Sequence, residues 1–207
     1  MGDTMTSSNV VQVPFMAKSK NPPRPFYKEV RSREHLYESE VEKLIKAAKT
    51  TMHPVRNQTL ILMMYLHGLR AGEAVNLKWD QINYDLGTIH IVRNKGGMPS
   101  THPIRAREMR LLRKLQKMTS GPYVFVRYDN NPITIRNAYY IVQNCGQIAE
   151  LPFPVHPHML RHACGYYLAS NGQDTRAIQC YLGHAQINNT VKYTALAPGR
   201  FNNFFPD

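Results

Sequence analysis

One short stretch of the chain repeats every second residue, and almost everything around it repeats every three to four. TIHIV (88–92) and THPI (101–104) alternate apolar with polar residues on either side of NKGGMPS, the pattern of a β-hairpin with a glycine-rich tip. A chain with so little period-two sequence builds only a small antiparallel sheet, and YVFV (123–126) reads as one more short strand. The rest carries helical spacing. A helix is expected to start near Ser39, where Ser39 and Glu42 fit a capping box ahead of Val41, Leu44, Ile45 and Ala48. Arg56 to Thr59 open a second helix, LILMMYLHG, which Gly68 closes, and AGEAVNLKW holds a short third. Further helices are expected over AREMRLLRKLQKM and near 134–149, 157–171, 174–182 and 187–194. The fold class is therefore mainly α with a small antiparallel β-sheet (α+β).

Residues 1–34 hold Pro22, Pro23 and Pro25 among scattered bases and suit a flexible N-terminal arm or linker, leaving 35–207 as one domain. No stretch has the length and apolarity of a membrane span, and the first residues lack the basic start of a secretory signal. MGDTMT fits the loose myristoylation pattern, which short sequences match by chance. Cys145, Cys164 and Cys180 are odd in number, form no CxxC pair and fall in helical segments, so they are expected to be reduced and buried.

Charge narrows the function. The net charge is +12 with a pI near 9.8. Acids and bases balance over residues 1–42, so the whole excess belongs to residues 43–207, the folded body. That suits a polyanionic partner, nucleic acid before an anionic membrane. On AREMRLLRKLQKM, Arg107, Arg110, Lys114 and Lys117 fall in one arc and Leu111, Leu115 and Met118 in another. The basic arc is either a solvated face or a contact for phosphates.

HPHMLRH (156–162) concentrates the chemistry. With Pro157 in the first turn, His158, Arg161 and His162 stand at i, i+3 and i+4 and share a face. Two histidines four apart match a helical metal pair, but an arginine lies between them and no carboxylate is nearby. The acids of the body are scattered, without the DxD or DxE pair that metal-dependent nucleases use. Histidines satisfied in a core, or a phosphate clamp, remain the other readings of this stretch. Elsewhere HGLRAGE sets Arg70 after a glycine with Glu73 three residues on, where it could orient the guanidinium. Lys95 stands at the hairpin tip, YLGH presents His184 after a glycine, and VKYTA carries Tyr193.

Taken in order, Arg70, Lys95, His158, Arg161, His184 and Tyr193 resemble the active-site set of the tyrosine recombinases, the phage-integrase family. HGLRAGE, RNKGG, HPHMLRH, YLGH and VKYTA carry the resemblance, over about residues 38–200. PSTHPI, HPHMLRHACGYYLA, DTRAIQCYLGHAQINNTVKYTA and PGRF are most similar to the small fimbrial phase-switch invertases, which resemble a catalytic domain without a separate core-binding domain. The resemblance implies a tyrosine recombinase catalytic-domain fold and a metal- and ATP-independent DNA strand transfer, with no cofactor. Tyr193 would attack and leave a 3′-phosphotyrosyl bond. Arg70 and Arg161 would hold the scissile phosphate, and His158 and His184 would donate hydrogen bonds or handle protons. Lys95 would protonate the departing 5′-oxygen, and Glu73 and His162 would support from behind; His156 receives no role. Partners would be double-stranded DNA sites, further copies of the chain (a tetramer on two sites) and possible accessory DNA-bending proteins, in the cytoplasm. FNNFFPD (201–207) could dock on a neighbouring copy or on its own domain. The alternatives are a DNA-binding regulator on the same fold that has lost catalysis, against which the intact set of six residues argues, and a type IB topoisomerase-like nicking enzyme, which shares the tyrosine chemistry but not the pairing of two sites.

Overall fold

The computed structural model describes residues 33–94 and 96–195. The MGDTMT start, the proline-bearing arm up to residue 32, Lys95 and the FNNFFPD tail lie outside the described residues. Arg33 already belongs to the folded body, pairing with Glu40 at 2.5 Å and lying over the Tyr37 ring.

Eight α-helices and three short strands make up the described body. They are α1 (Glu38–Ala47), α2 (Pro54–Leu66), α3 (Ala71–Val75), β1 (Ile82–Asn83), β2 (Thr88–Ile91), β3 (Ser100–Pro103), α4 (Ala106–Gln116), α5 (Ile135–Ile148), α6 (Pro157–Ser170), α7 (Thr175–Leu182) and α8 (Asn188–Ala195). The sheet is antiparallel in the order β1-β2-β3, with Ile89 opposite His102 and Ile91 opposite Ser100. Its alternation buries Ile89, Ile91 and His102 on one face.

Helices α2 and α6 form the centre. Helix α6 buries residues all round, from Pro157 and Met159 through Arg161, His162 and Cys164 to Gly165, as expected for a helix in the middle of a core. Helix α2 packs against α4 and α6, α1 lies against α5, and α7 and α8 close the far side of α6.

Local chemistry moved several boundaries. Glu40, not Glu42, accepts the backbone N–H that starts α1, at 2.8 Å from Tyr37 N. The expected Ser39–Glu42 box does not form, because Glu42 is bonded instead to Arg107 of α4. Pro54 occupies the first turn of α2, so that helix begins earlier than Arg56. YVFV is not a ladder strand. It is an extended strap held by single bridges, Lys78 to Tyr123 and Val126 to Pro132, with Val124 N bonded to Leu77 O. On α4, Leu112 is buried beside Leu115, whereas Met118 is 63% exposed beyond the helix end. Cys145 and Cys164 are buried as expected; Cys180 is exposed. Among the described residues, no helix is long and apolar enough to cross a membrane.

Candidate active site

Arg161 sits in the first turns of α6 with 1% of its surface exposed. A buried guanidinium is stable only when its N–H groups are satisfied, and two carbonyls do this. Nη1 donates to Gly68 O at 2.5 Å, and Nη2 donates to Leu182 O at 2.8 Å. These carbonyls end α2 and α7, so Arg161 ties three helices together at one point. Gly68 has φ +57°, and a Cβ there would meet Leu182 Cδ2 at 2.3 Å. A side chain there would be strained by the positive φ and would strike the Leu182 side chain, so glycine suits the position.

Arg70 precedes α3, with Glu73 one turn later. Glu73 Oε2 accepts the Arg70 N–H at 3.0 Å, and Oε1 accepts from the Arg70 guanidinium at 2.6 Å. Burial alone would raise the Glu73 pKa. The hydrogen bond from the Arg70 backbone and the charges of Arg93 and Arg70 outweigh it and hold the carboxylate below its ordinary value. Glu73 is thus an ionised, buried anchor for Arg70, the orienting role its spacing suggested.

Helices α7 and α8 bring the remaining groups. Gly183 takes φ +65° after α7 and turns the chain so that His184 points inward, 6% exposed. Nδ1 of His184 is bonded to Thr190 Oγ1 at 2.7 Å. Thr190 and Tyr193 stand three apart on the buried face of α8. The Tyr193 ring, 1% exposed, lies between His162, His184 and Tyr166, and its hydroxyl is bonded to His162 Nδ1 at 2.8 Å. Burial raises the Tyr193 pKa above the usual phenol value, against the pull of Arg161.

The electrostatics join these groups. His184 is held down to about 3 by burial, then by the charges of Arg161 and Arg70. His162 is held down to about 3 by burial, Lys192, His158 and Arg161. His158, at the surface of the same turn, is lowered by the desolvation it does suffer and by Arg161, Lys192 and Arg70. Arg161 itself falls to about 10, through burial and the neighbouring Arg70 and Arg93 charges. Among the described residues no cluster of His, Cys, Asp or Glu could hold a metal ion. Cationic groups around a buried phenol form a site that attracts an anion such as phosphate.

A model of the phage integrase family matches residues 34–200. The chain belongs to the phage integrase family. It is similar to the type 1 fimbriae regulatory protein FimB of Escherichia coli (strain K12), 42% identical over 177 residues that cover 83% of this chain and 88% of FimB. It is also similar to FimE of the same strain, 35% identical and covering 82% of this chain and 89% of FimE. Among solved structures, XerA recombinase superposes with a TM-score of 0.72 at 25% identity, covering 84% of this chain and 65% of that one. The mainly helical body with its small antiparallel sheet is the tyrosine recombinase catalytic-domain fold, as expected.

Of the residues expected in this integrase-family site, Arg70, His158, Arg161, His184 and Tyr193 come together, with Glu73 and His162 beside them. Lys95 lies outside the described residues. His162, expected in a supporting position, is bonded to the Tyr193 hydroxyl itself. Arg110 and Lys114 on α4 and Lys117 just past its end are exposed, whereas Arg107 is half-buried and pairs with Glu42 at 2.5 Å, so the four do not form one free arc.

Two groups of residues escaped the sequence reading. Thr190 gives no motif, because its partner is fixed only by the turn at Gly183. Arg93 did leave a signal. It follows Ile89 and Ile91 at period two, just past the end of β2, and so continues the buried side of that strand, where an arginine needs partners. Behind it lies a buried polar chain in which Glu108 Oε1 meets His67 Nε2 at 2.7 Å and His67 Nδ1 meets His102 Nδ1 at 3.1 Å.

Proposed function

We propose that the chain is a site-specific DNA recombinase that cuts and rejoins single strands through a 3′-phosphotyrosyl intermediate at Tyr193. The observation that carries this reading is the placement of the buried Tyr193 hydroxyl on α8 beside the α6 turn that holds His158, Arg161 and His162.

Arg70 and Arg161 suit the two non-bridging oxygens of a phosphate. Each is held from behind, by the Glu73 carboxylate or by two carbonyls, so its geometry is set before DNA arrives. His158 and His184, both under the charges of Arg70 and Arg161, donate hydrogen bonds to the bound phosphate. In the free chain, one hydrogen bond joins the Tyr193 hydroxyl to His162. In the reaction the phenol oxygen bonds to phosphorus, its proton passes along the hydrogen bond to His162 Nδ1 and on to solvent, and the bond from phosphorus to the 5′-oxygen breaks. Lys95, two residues past Arg93 on the hairpin, delivers a proton to that oxygen. A phenol resists ionisation at neutral pH, and the surrounding cations lower that barrier as the phosphate displaces water. The phosphotyrosyl ester conserves the energy of the broken bond, so religation by a 5′-hydroxyl needs no ATP.

The partners follow from this chemistry. Strand exchange joins two double-stranded sites, which calls for further copies of the chain, four in the full assembly, with accessory DNA-bending proteins where the sites are distant. The reaction takes place on cytoplasmic DNA. The outcome is inversion or integration of a DNA segment, and similarity to FimB and FimE, each named a type 1 fimbriae regulatory protein, suits a recombination that changes gene expression.

The test is a nicked duplex carrying the target site, incubated with the chain in EDTA. A covalent protein–DNA adduct is expected, and Tyr193→Phe should abolish it while binding persists. Adducts that require a divalent metal, or that survive in the Phe variant, would overturn the mechanism.

A further inference from the structure

Two arginines bridge the same pair of chain segments. Arg161 holds the carbonyls of Gly68 and Leu182. Arg93 holds their neighbours: its Nη2 donates to His67 O at 3.2 Å and also, by a short bond, to Tyr181 O. Its Nη1 donates to Glu73 Oε2 at 3.0 Å, on the carboxylate whose other oxygen holds Arg70. The Arg93 side chain is wholly buried. Its stem fills the space beside Gly183, where a Cβ would lie 2.5 Å from Arg93 Cγ, and beside Gly97, where a Cβ would lie 2.9 Å from Arg93 Cβ.

Burying a cation this completely is unfavourable unless its position matters or its partners are excellent. The partners are good, yet Arg93 Nε has none among the described residues. A methionine of similar volume would fill the same space without burying a charge. What a hydrophobic residue cannot do is hold a carboxylate. Glu73 carries one negative charge between two guanidiniums, and without Arg93 its Oε2 keeps only the Arg70 N–H, so the carboxylate loses the charged partner that opposes the pull of the Arg70 guanidinium.

We infer that Arg93 is a positioning residue for the strand-cleavage reaction, one that acts through Glu73 to fix the guanidinium of Arg70 on the scissile phosphate. The inference rests on the recombinase reading above. Arg93 touches neither DNA nor the reacting atoms, so its loss lowers the rate of cleavage and leaves affinity for DNA nearly unchanged.

A chemical substitution in the DNA separates this role from a general effect on the fold. Replacing one non-bridging oxygen of the scissile phosphate with a methyl group removes the charge that Arg70 neutralises. A methylphosphonate therefore has little need of a well-placed Arg70. The probe is a nicked duplex bearing a site selected from a random pool with the unsubstituted chain, which also maps the scissile position. On the phosphodiester, Arg93→Gln should slow adduct formation about 10²-fold, the effect of misplacing one transition-state donor. On the methylphosphonate the same variant should stay within about threefold of the unsubstituted chain, and Arg70→Ala should show the same pattern.

Equal losses on both substrates would mean that Arg93 only supports the fold, and no loss on either would mean that it does nothing for Arg70. Either result overturns the inference. Should Arg93→Gln not fold, Arg93→Lys keeps a cation at Glu73 with fewer bonds to the carbonyls. It should give the same selective loss, about tenfold. Failure of both variants to fold makes Arg93 a fold residue and sinks the inference. An unsubstituted chain that forms no adduct at all overturns the recombinase reading itself, and this inference with it.

Discussion

Gly165 of α6 lies directly under the ring of Tyr193: a Cβ at this glycine would stand 2.6 to 2.8 Å from three ring carbons. In an exposed helix interior, glycine to alanine would stabilise by about 1 kcal/mol. Here the added methyl has no room, because the ring is also bounded by Tyr166, His162 and His184. Gly165→Ala should therefore destabilise the chain by about 1–3 kcal/mol and push α8 away from α6. We expect a lower melting temperature and adduct formation reduced at least about tenfold, with DNA binding retained. A stabilised variant of full activity would show that the packing of Tyr193 on Gly165 is not the reactive arrangement.

Thr190 has no side-chain role in the chemistry, yet it sets His184. Its hydroxyl is the partner of His184 Nδ1 at 2.7 Å, and the residue is fully buried. Thr190→Val keeps the shape and removes the hydroxyl, leaving a buried ring nitrogen unsatisfied at about 1–3 kcal/mol. Cleavage should fall with it, since the ring loses the bond that fixes its orientation. Thr190→Ser restores the hydroxyl and should recover most of both. Chemical denaturation and single-turnover cleavage of the three chains measure the two effects, and a Val variant as fast as the Ser variant would refute this role.

How much of this was legible beforehand depended on how local each cause was. The helices could be read because their apolar spacing and caps lie within a turn or two. The hairpin could be read because glycines and alternation sit side by side. YVFV looked like a strand because its residue types suit one, but its partners are single residues far along the chain, Lys78 and Pro132. The candidate site residues stand out by their motifs and order, while what holds them was mostly hidden. The carbonyl partners of Arg161 lie 93 and 21 residues away, and carbonyls carry no sequence signature. Arg93 is the instructive miss, since it continues the period of Ile89 and Ile91 just past β2, which already marked it as buried.

Three histidines make stability depend on pH. His102 is held down to about 3 by burial and by His67 and Arg93, as His162 and His184 are by burial and their own neighbouring cations. In the unfolded chain each takes a proton near pH 6.5. The folded state excludes that proton, so the stability is complete above about 6.5 and is lost as pH falls from there toward 3. Each histidine contributes a slope of about 1.4 kcal/mol per pH unit across that window. Denaturant unfolding at pH 7.5 and 5.5 should therefore differ by a few kcal/mol, whereas pH 7.5 and 8.5 should agree. A flat profile down to pH 5 would mean that these rings are open to solvent protons.

The basic helix α4 offers a last, separable expectation. Arg110, Lys114 and Lys117 are exposed, whereas Arg107 is engaged with Glu42. If the exposed three bind phosphates, replacing them together with alanine should weaken DNA binding and flatten its dependence on salt. The slope of log affinity against log salt changes by about 0.9 for each phosphate no longer neutralised, so up to about 3 for the triple variant. Arg107→Ala should change the slope much less, because its charge is already balanced by Glu42 and would reach DNA only by breaking that pair. Titrations at several salt concentrations distinguish the two variants. An unchanged slope in the triple variant would show that α4 faces solvent in the complex, and an equal change in Arg107→Ala would show that DNA displaces Glu42.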